Sequence, residues 1–535
     1  MTVVEVAPDA PWTMGDWVRE RAWRHGDRIA LDIAGEQRTY RQVDTFSDRM
    51  AAGLAHVGIG PGSHVCTMSK NSVQSIDVWF ALCKLGAVEV PVNTANRGAS
   101  LQYLVDQSDA QTLVVDEEYL DRVAVVAADL PGLRHVIVVS EGRGADVALP
   151  AGISVHDLAD LYRDEEPPRP TVDQYDPNVI IYTSGTTGPA KGVVLCHKAN
   201  LALARHTVAL MGYTEADVLY TAFPLFHINA RYTSVVAAME CGGRLVMDQR
   251  FSVSRFWDTC RAKGITAFNF QGALLLMLFK QPPKPDDADN PVRVAFGAPV
   301  PPEICYEFAK RFGVRFAEVY GMTEVANTVE NRLDAYRSGA AGTESCRFEV
   351  RVVDEQDRFV PAGVAGEIVV RPKEPGIMVT EYYKMPEATV RAFRNLWFHT
   401  GDRGRFDEDG YLYFLDRMKD AIRRRGENIS SWEVEKVASA FPAVLEAAAY
   451  GVASELSEEE VMIAVVRRPG HEVDVVALLE HCVDNLAHFA VPRYVRFVDE
   501  LPKTPSQRVE KYRLRAEGVT ADAWDREAHG FVVRR

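Results

Sequence analysis

Hydrophobic positions along this chain repeat with two periods. Residues 40–57 and 78–85 carry apolar side chains at helical spacing, whereas residues 64–68 and 112–115 are short apolar runs of strand length. Such alternation predicts α/β layering from Trp12 to about Asp116. A second α/β stretch runs from His197 to about Val329, and a β-rich segment covers residues 348–414, with alternating runs such as Glu367-Ile-Val-Val-Arg371. The strand predicted at 411–415 gives way to the charged segment Asp416-Arg-Met-Lys-Asp420; beyond it the pattern predicts strands at 447–452 and 461–467 and a helix at 475–486. The expected architecture is α/β: a large amino-terminal domain, 1–416, of layered α/β subdomains plus a β-rich subdomain, and a small α+β carboxy-terminal domain, 417–535. Arg163-Asp-Glu-Glu-Pro-Pro-Arg-Pro170 reads as a linker. Gly58-Ile-Gly-Pro-Gly62 nearly matches a dinucleotide fingerprint, but it lacks the last glycine and follows a helix, so it reads as a turn.

A chain of 535 residues is too long for one core, and 47% hydrophobic with 25% charged residues is ordinary for a soluble protein. Acidic residues outnumber basic ones 75 to 60, for a formal charge of -15. That field repels nucleic acid and anionic membranes, so an anionic ligand has to be met by a local basic site. The eight cysteines form no C-x-x-C pair, which argues against a zinc site or a disulfide framework and for a reducing, cytoplasmic setting. With no basic, apolar leader at the amino terminus and no run of 18 apolar residues, neither a signal peptide nor a membrane span is expected.

The strongest chemical signal is Tyr182-Thr-Ser-Gly-Thr-Thr-Gly-Pro-Ala-Lys-Gly192. Small residues expose backbone N–H groups to anionic oxygens, and the hydroxyls of Thr183, Ser184, Thr186 and Thr187 add donors around Gly185 and Gly188. Apolar runs on both sides predict a strand–loop–strand hairpin. No Gly-Lys-Ser/Thr occurs, so this is not a Walker loop.

Four further motifs follow in order: Phe223-Pro-Leu-Phe-His-Ile-Asn229, Tyr320-Gly-Met-Thr-Glu324, Thr400-Gly-Asp402, and Asp416-Arg-Met-Lys-Asp-Ala-Ile-Arg-Arg-Arg-Gly-Glu-Asn-Ile-Ser430. With the loop they resemble the acyl-adenylate-forming superfamily over essentially the whole chain, and within it the carnitine/crotonobetaine-CoA ligase branch. The resemblance implies an ATP-dependent, AMP-forming acid–CoA ligase using ATP, Mg²⁺ and CoA, with a carrier protein and a second copy of the chain left open as partners. It implies that Thr183 to Lys191 wrap the leaving phosphates, Thr323 bonds the α-phosphate and Glu324 holds Mg²⁺. Tyr320 would stack on adenine opposite Gly297-Ala298-Pro299, Asp402 would bind the ribose hydroxyls, and Arg417 would reach the ribose or phosphate. Lys419 falls at the family's inter-domain hinge, and Gly426 would line the thiol tunnel. Arg423, Arg424 and Arg425 form a cationic cluster suited either to a CoA phosphate or to a solvated face.

His227 lies where the family gates its acyl pocket. On a helix Arg231, four residues on, would share its face, ready either for an anionic substrate group or for a neighbouring acid. Asn269 and Gln271 could add polar contacts, so a small polar or aromatic acid is expected. The family's terminal Ser-Gly-Lys reads Ser506-Gln507-Arg508 here, which leaves Arg508 or Lys511 to replace the usual lysine. The departure keeps two alternatives open: a diazotase that activates nitrite, and an enzyme that loads a carrier protein. Intact Lys191, Glu324 and Asp402 speak against a non-catalytic paralogue.

Overall fold

The computed structural model describes residues 11–140, 147–183, 189–302, 304–417, 421–454, 458–502, 509 and 511–533. Among these residues the strands form sheets of fourteen, seven, four and two. The largest is parallel at its centre, where Arg315–Met322, Val294–Gly297, Ala267–Phe270, Val218–Thr221 and Arg244–Met247 lie side by side. It then turns antiparallel through Ala326–Asn331, Gly342–Glu344, Tyr411–Arg417, Trp397–Phe406, Gly366–Pro372 and Phe348–Val353, of which the last four fall in the β-rich stretch read from sequence. In the seven-stranded sheet, Pro177–Thr183 and Lys191–Cys196 pair as the expected hairpin, Thr183 opposite Lys191. The four-stranded sheet and the small hairpin Ala421–Arg424/Glu427–Ser430 follow residue 420.

Local chemistry sets the element ends. Helix Tyr40–His56 starts at a capping box, Thr39 with Gln42. Helix Val73–Leu85 begins five residues before the apolar pattern suggested, because the Ser72 side chain caps it and Asp77 is buried inside, bonded by the Tyr162 hydroxyl at 2.8 Å. Asp474 caps helix Val475–Asn485 in the same way. The main apolar cluster joins both large sheets, from Trp17 and Trp79 through Val193 and Leu195 to Tyr320 and Val370. A separate cluster around Val434, Ile463 and Leu479 gives the carboxy-terminal elements their own core. No helix among the described residues is long and apolar enough to cross a membrane.

Candidate active site

The central parallel strands deliver their carboxyl ends to one cavity of about 1850 Å³, the expected ligand position in an open α/β sheet. Gly297 and Ala298 stand at the end of one strand, Met322, Thr323 and Glu324 at the end of another, and Thr183 and Lys191 flank residues 184–188. Ser184, Gly185, Thr186, Thr187 and Gly188 lie outside the described residues. From the β-rich subdomain come Thr400 to Asp402, and from the carboxy-terminal hairpin Arg423, Gly426 and Glu427.

Lys191 and Glu324 meet through a residue the sequence reading missed. The Tyr382 hydroxyl donates to Glu324 Oε1 at 3.0 Å, and Lys191 Nζ stands 4.5 Å from the centre of the same ring. Burial, then the Glu324 charge, pushes the Tyr382 phenol far above its ordinary value, so it remains a donor. The carboxylate is thereby oriented on the cavity wall beside Thr323, and a hard oxygen ligand there suits Mg²⁺.

On the side of the β-rich subdomain Asp402 is 4% exposed and its Oδ2 accepts the Tyr320 hydroxyl at 2.9 Å. Tyr320 is itself buried, and Val319, Gly321 and Met322 of its strand face the cavity in its place. Gly297 and Ala298 line the wall, whereas Pro299 does not. The Thr400–Asp402 turn is held from behind: Gly401 N donates to Glu367 Oε1 at 3.1 Å, and His399 Nδ1 lies 2.9 Å from Glu367 Oε2. Asp357, Glu367 and His399 are grouped closely enough for a metal ion, but the Arg394 guanidinium already supplies the cation, 2.8 Å from His399 Nδ1. The Arg417 backbone pairs with Asp402; its side chain, like Lys419, lies outside the described residues.

Two substrate-pocket expectations are corrected. Arg231 does not line the large cavity: it is 1% exposed, paired through both terminal nitrogens with Glu89 and stacked 3.9 Å over Trp79. Its guanidinium is committed to the core, and burial opposes a charge that Glu89 more than restores. Asn269, 2% exposed, donates Nδ2 to Asn229 Oδ1 at 2.8 Å and to Ser234 Oγ at 2.7 Å, tying the π-helical stretch Asn229–Val236 to its strand. His227 and Gln271 do line the cavity, and both touch the carboxy-terminal hairpin. His227 Nε2 lies 3.2 Å from Glu427 Oε1; burial works against imidazole protonation, but the Glu427 charge outweighs it and raises the pKa. Gly426 packs on Gln271 so closely that an added Cβ would overlap Oε1, and its φ of +85° independently favours glycine.

The arginine cluster divides. Arg423 faces the cavity, but Arg424 is buried against Glu460 at 2.6 Å and Phe489 O at 2.8 Å, which removes it from any CoA phosphate. Lys511 does not line the cavity either; its Nζ lies 2.8 Å from Ser431 Oγ and 2.6 Å from Glu435. Arg508 lies outside the described residues.

The crotonobetaine/carnitine–CoA ligase of Salmonella typhi is 30% identical over 508 residues, 92% of this chain and 97% of that protein. The fold is shared with o-succinylbenzoate CoA synthetase from Bacillus subtilis, solved with a product analogue, at a TM-score of 0.81, 24% identity, and 94% and 98% coverage of the two chains. An amide bond synthetase from Marinactinospora thermotolerans gives a TM-score of 0.80 at 25% identity, covering 93% and 99%. The profile of the AMP-binding enzyme family matches residues 18–383 and that of its carboxy-terminal domain residues 433–508, so the chain belongs to the AMP-binding enzymes.

Proposed function

We propose that this AMP-forming ligase joins a small polar or aromatic carboxylic acid to CoA by way of an acyl adenylate. The observation that carries the reading is that one cavity joins the site residues. It runs from Lys191, Glu324 and Asp402, suited to a nucleoside triphosphate, past His227 and Gln271 to Gly426 at the carboxy-terminal hairpin. In the first half-reaction a carboxylate oxygen attacks the α-phosphorus in line, and the bond to the β-phosphate oxygen breaks. Lys191 steadies the departing pyrophosphate, Thr323 donates to the α-phosphate and Asp402 fixes the ribose. Mg²⁺ bound at Glu324 would neutralise phosphate oxygens. In the second half-reaction the CoA sulfur, reaching in beside Gly426, attacks the acyl carbon and AMP leaves. Docking of the hairpin on Gln271 and His227 suits this second step, and a rotation about Lys419 would bring the 506–508 segment in for the first.

Pyrophosphate release across an acid panel, with and without CoA, tests the reading. Acid-dependent release followed by CoA-dependent thioester formation is the expected result. Release with nitrite and an aminoaryl acid, but with no acid and CoA, would replace the ligase by a diazotase.

A further inference from the structure

Lys191 and Glu324 belong to different sheets. The first opens Lys191–Cys196 of the seven-stranded sheet, and the second follows Arg315–Met322 of the fourteen-stranded one. Their relative placement depends on what bridges the two sheets at this point, and residues 379–383 do so. On one side Thr380 N donates to Val194 O at 3.1 Å, Val194 N to Glu381 O at 3.1 Å and Tyr383 N to Gly192 O at 2.8 Å, which lays this strap along the Lys191 strand. On the other side Val379 N donates to Glu324 O at 2.6 Å and the Tyr382 hydroxyl to Glu324 Oε1 at 3.0 Å. Glu324 is thus held by its backbone and by its side chain. The course of the strap is itself pinned, because Tyr382 N donates to Thr389 Oγ1 at 3.0 Å.

Tyr382 is 4% exposed on the cavity wall and meets the two charged residues with different parts of one side chain. Its hydroxyl bonds the carboxylate, while its ring centre lies 4.5 Å from Lys191 Nζ, within range of a cation–π contact. A phenol is rigid, so the two contacts cannot drift apart independently. Groups that hydrogen-bond a ligating carboxylate fix its orientation toward the cation, and losing one typically costs about 10–100-fold in metal affinity.

Resting on the ligase reading above, we propose that Tyr382 is a positioning residue with two separable tasks: its hydroxyl holds the Glu324 carboxylate in the orientation that binds the divalent cation, and its ring holds the Lys191 ammonium toward the triphosphate.

The test is calorimetric binding of a non-hydrolysable ATP analogue to the full-length protein, in chelator and again with saturating Mg²⁺, so that no turnover is needed. The wild type is expected to bind the analogue more tightly with Mg²⁺. Tyr382→Phe keeps the ring and loses the hydroxyl, so it should leave the metal-free Kd within about twofold of wild type and cut the Mg²⁺-dependent gain about tenfold. Tyr382→Leu removes the ring as well and should weaken the metal-free Kd about threefold or more. A role in folding alone would instead lower both affinities together, along with the melting temperature. A phenylalanine variant that keeps the wild-type gain, or loses both affinities equally, overturns the assignment while the ligase reading stands. So does a wild type without a Mg²⁺-dependent gain, or a folded leucine variant whose metal-free Kd is unmoved. The phenylalanine arm decides alone if the leucine variant does not fold. A wild type that binds no analogue under either condition overturns both readings.

Discussion

Arg231 and Glu89 form a charge pair inside the core, and neither partner can be lost cheaply. Removing one leaves the other ionised without a counter-charge, so Arg231→Met or Glu89→Gln should cost about 3–5 kcal/mol, read as a lower unfolding midpoint in denaturant. A variant within 1 kcal/mol of wild type would show that the pair is solvated. Glu324 makes the opposite kind of contribution: Glu324→Gln should keep the fold yet slow adenylation about a hundredfold, some 2.7 kcal/mol of transition-state stabilisation, in a pyrophosphate-exchange assay. Unchanged exchange at limiting Mg²⁺ would take Glu324 off the metal. The two residues also mark what the sequence could disclose. Glu324 is legible because its motif is contiguous. Arg231 is not, since its partner lies 142 residues away and the stretch around it winds as a π-helix rather than the α-helix that its spacing from His227 assumed.

The hairpin Ala421–Ser430 concentrates its contacts at one turn. Gly426 N donates to Glu458 Oε2 at 2.8 Å while its α-carbon rests on Gln271, so both conformation and space demand glycine. Gly426→Val should leave pyrophosphate release near wild type and lower thioester formation at least tenfold, about 1.4 kcal/mol of barrier, measured by assaying the half-reactions separately. An equal fall in both would mean that the turn matters for folding instead. Beside it, the His227–Glu427 pair makes docking sensitive to pH. The imidazole pKa is raised above 6.5 in the docked state, so the pair's contribution is complete below 6.5 and is lost as pH climbs through the raised value. Protease protection of the hairpin at residues 421–430 should therefore weaken on the alkaline side, and Glu427→Gln should remove that dependence. The sequence marked Gly426 as special from its motif, but the Gln271 contact joins residues 155 positions apart that only the folded arrangement brings together.

At the scale of the molecule, hydrophobic period located the clearest elements, such as Tyr40–His56, His64–Met68 and Glu459–Arg467, because each buries a contiguous apolar face. What it could not give was which strand ends converge, since that depends on crossovers between elements distant in sequence. Lys511 is the clearest case: near Arg508 in the chain, it is committed to Ser431 and Glu435 within its own domain. Arg508→Ala should therefore abolish pyrophosphate exchange while leaving thioester formation from a supplied acyl adenylate largely intact. An active Arg508→Ala with an inactive Lys511→Ala would reverse the assignment. A further consequence comes from the mixed ancestry of the cavity wall. On the proposed reading, cavity side chains before residue 330 would shape the space for the acid, whereas those after residue 421 would shape the approach of the acceptor. The two specificities would then be separately heritable. A lineage could exchange a thiol for an amine by altering the short carboxy-terminal segment alone, with recognition of the acid passing unchanged to its descendants.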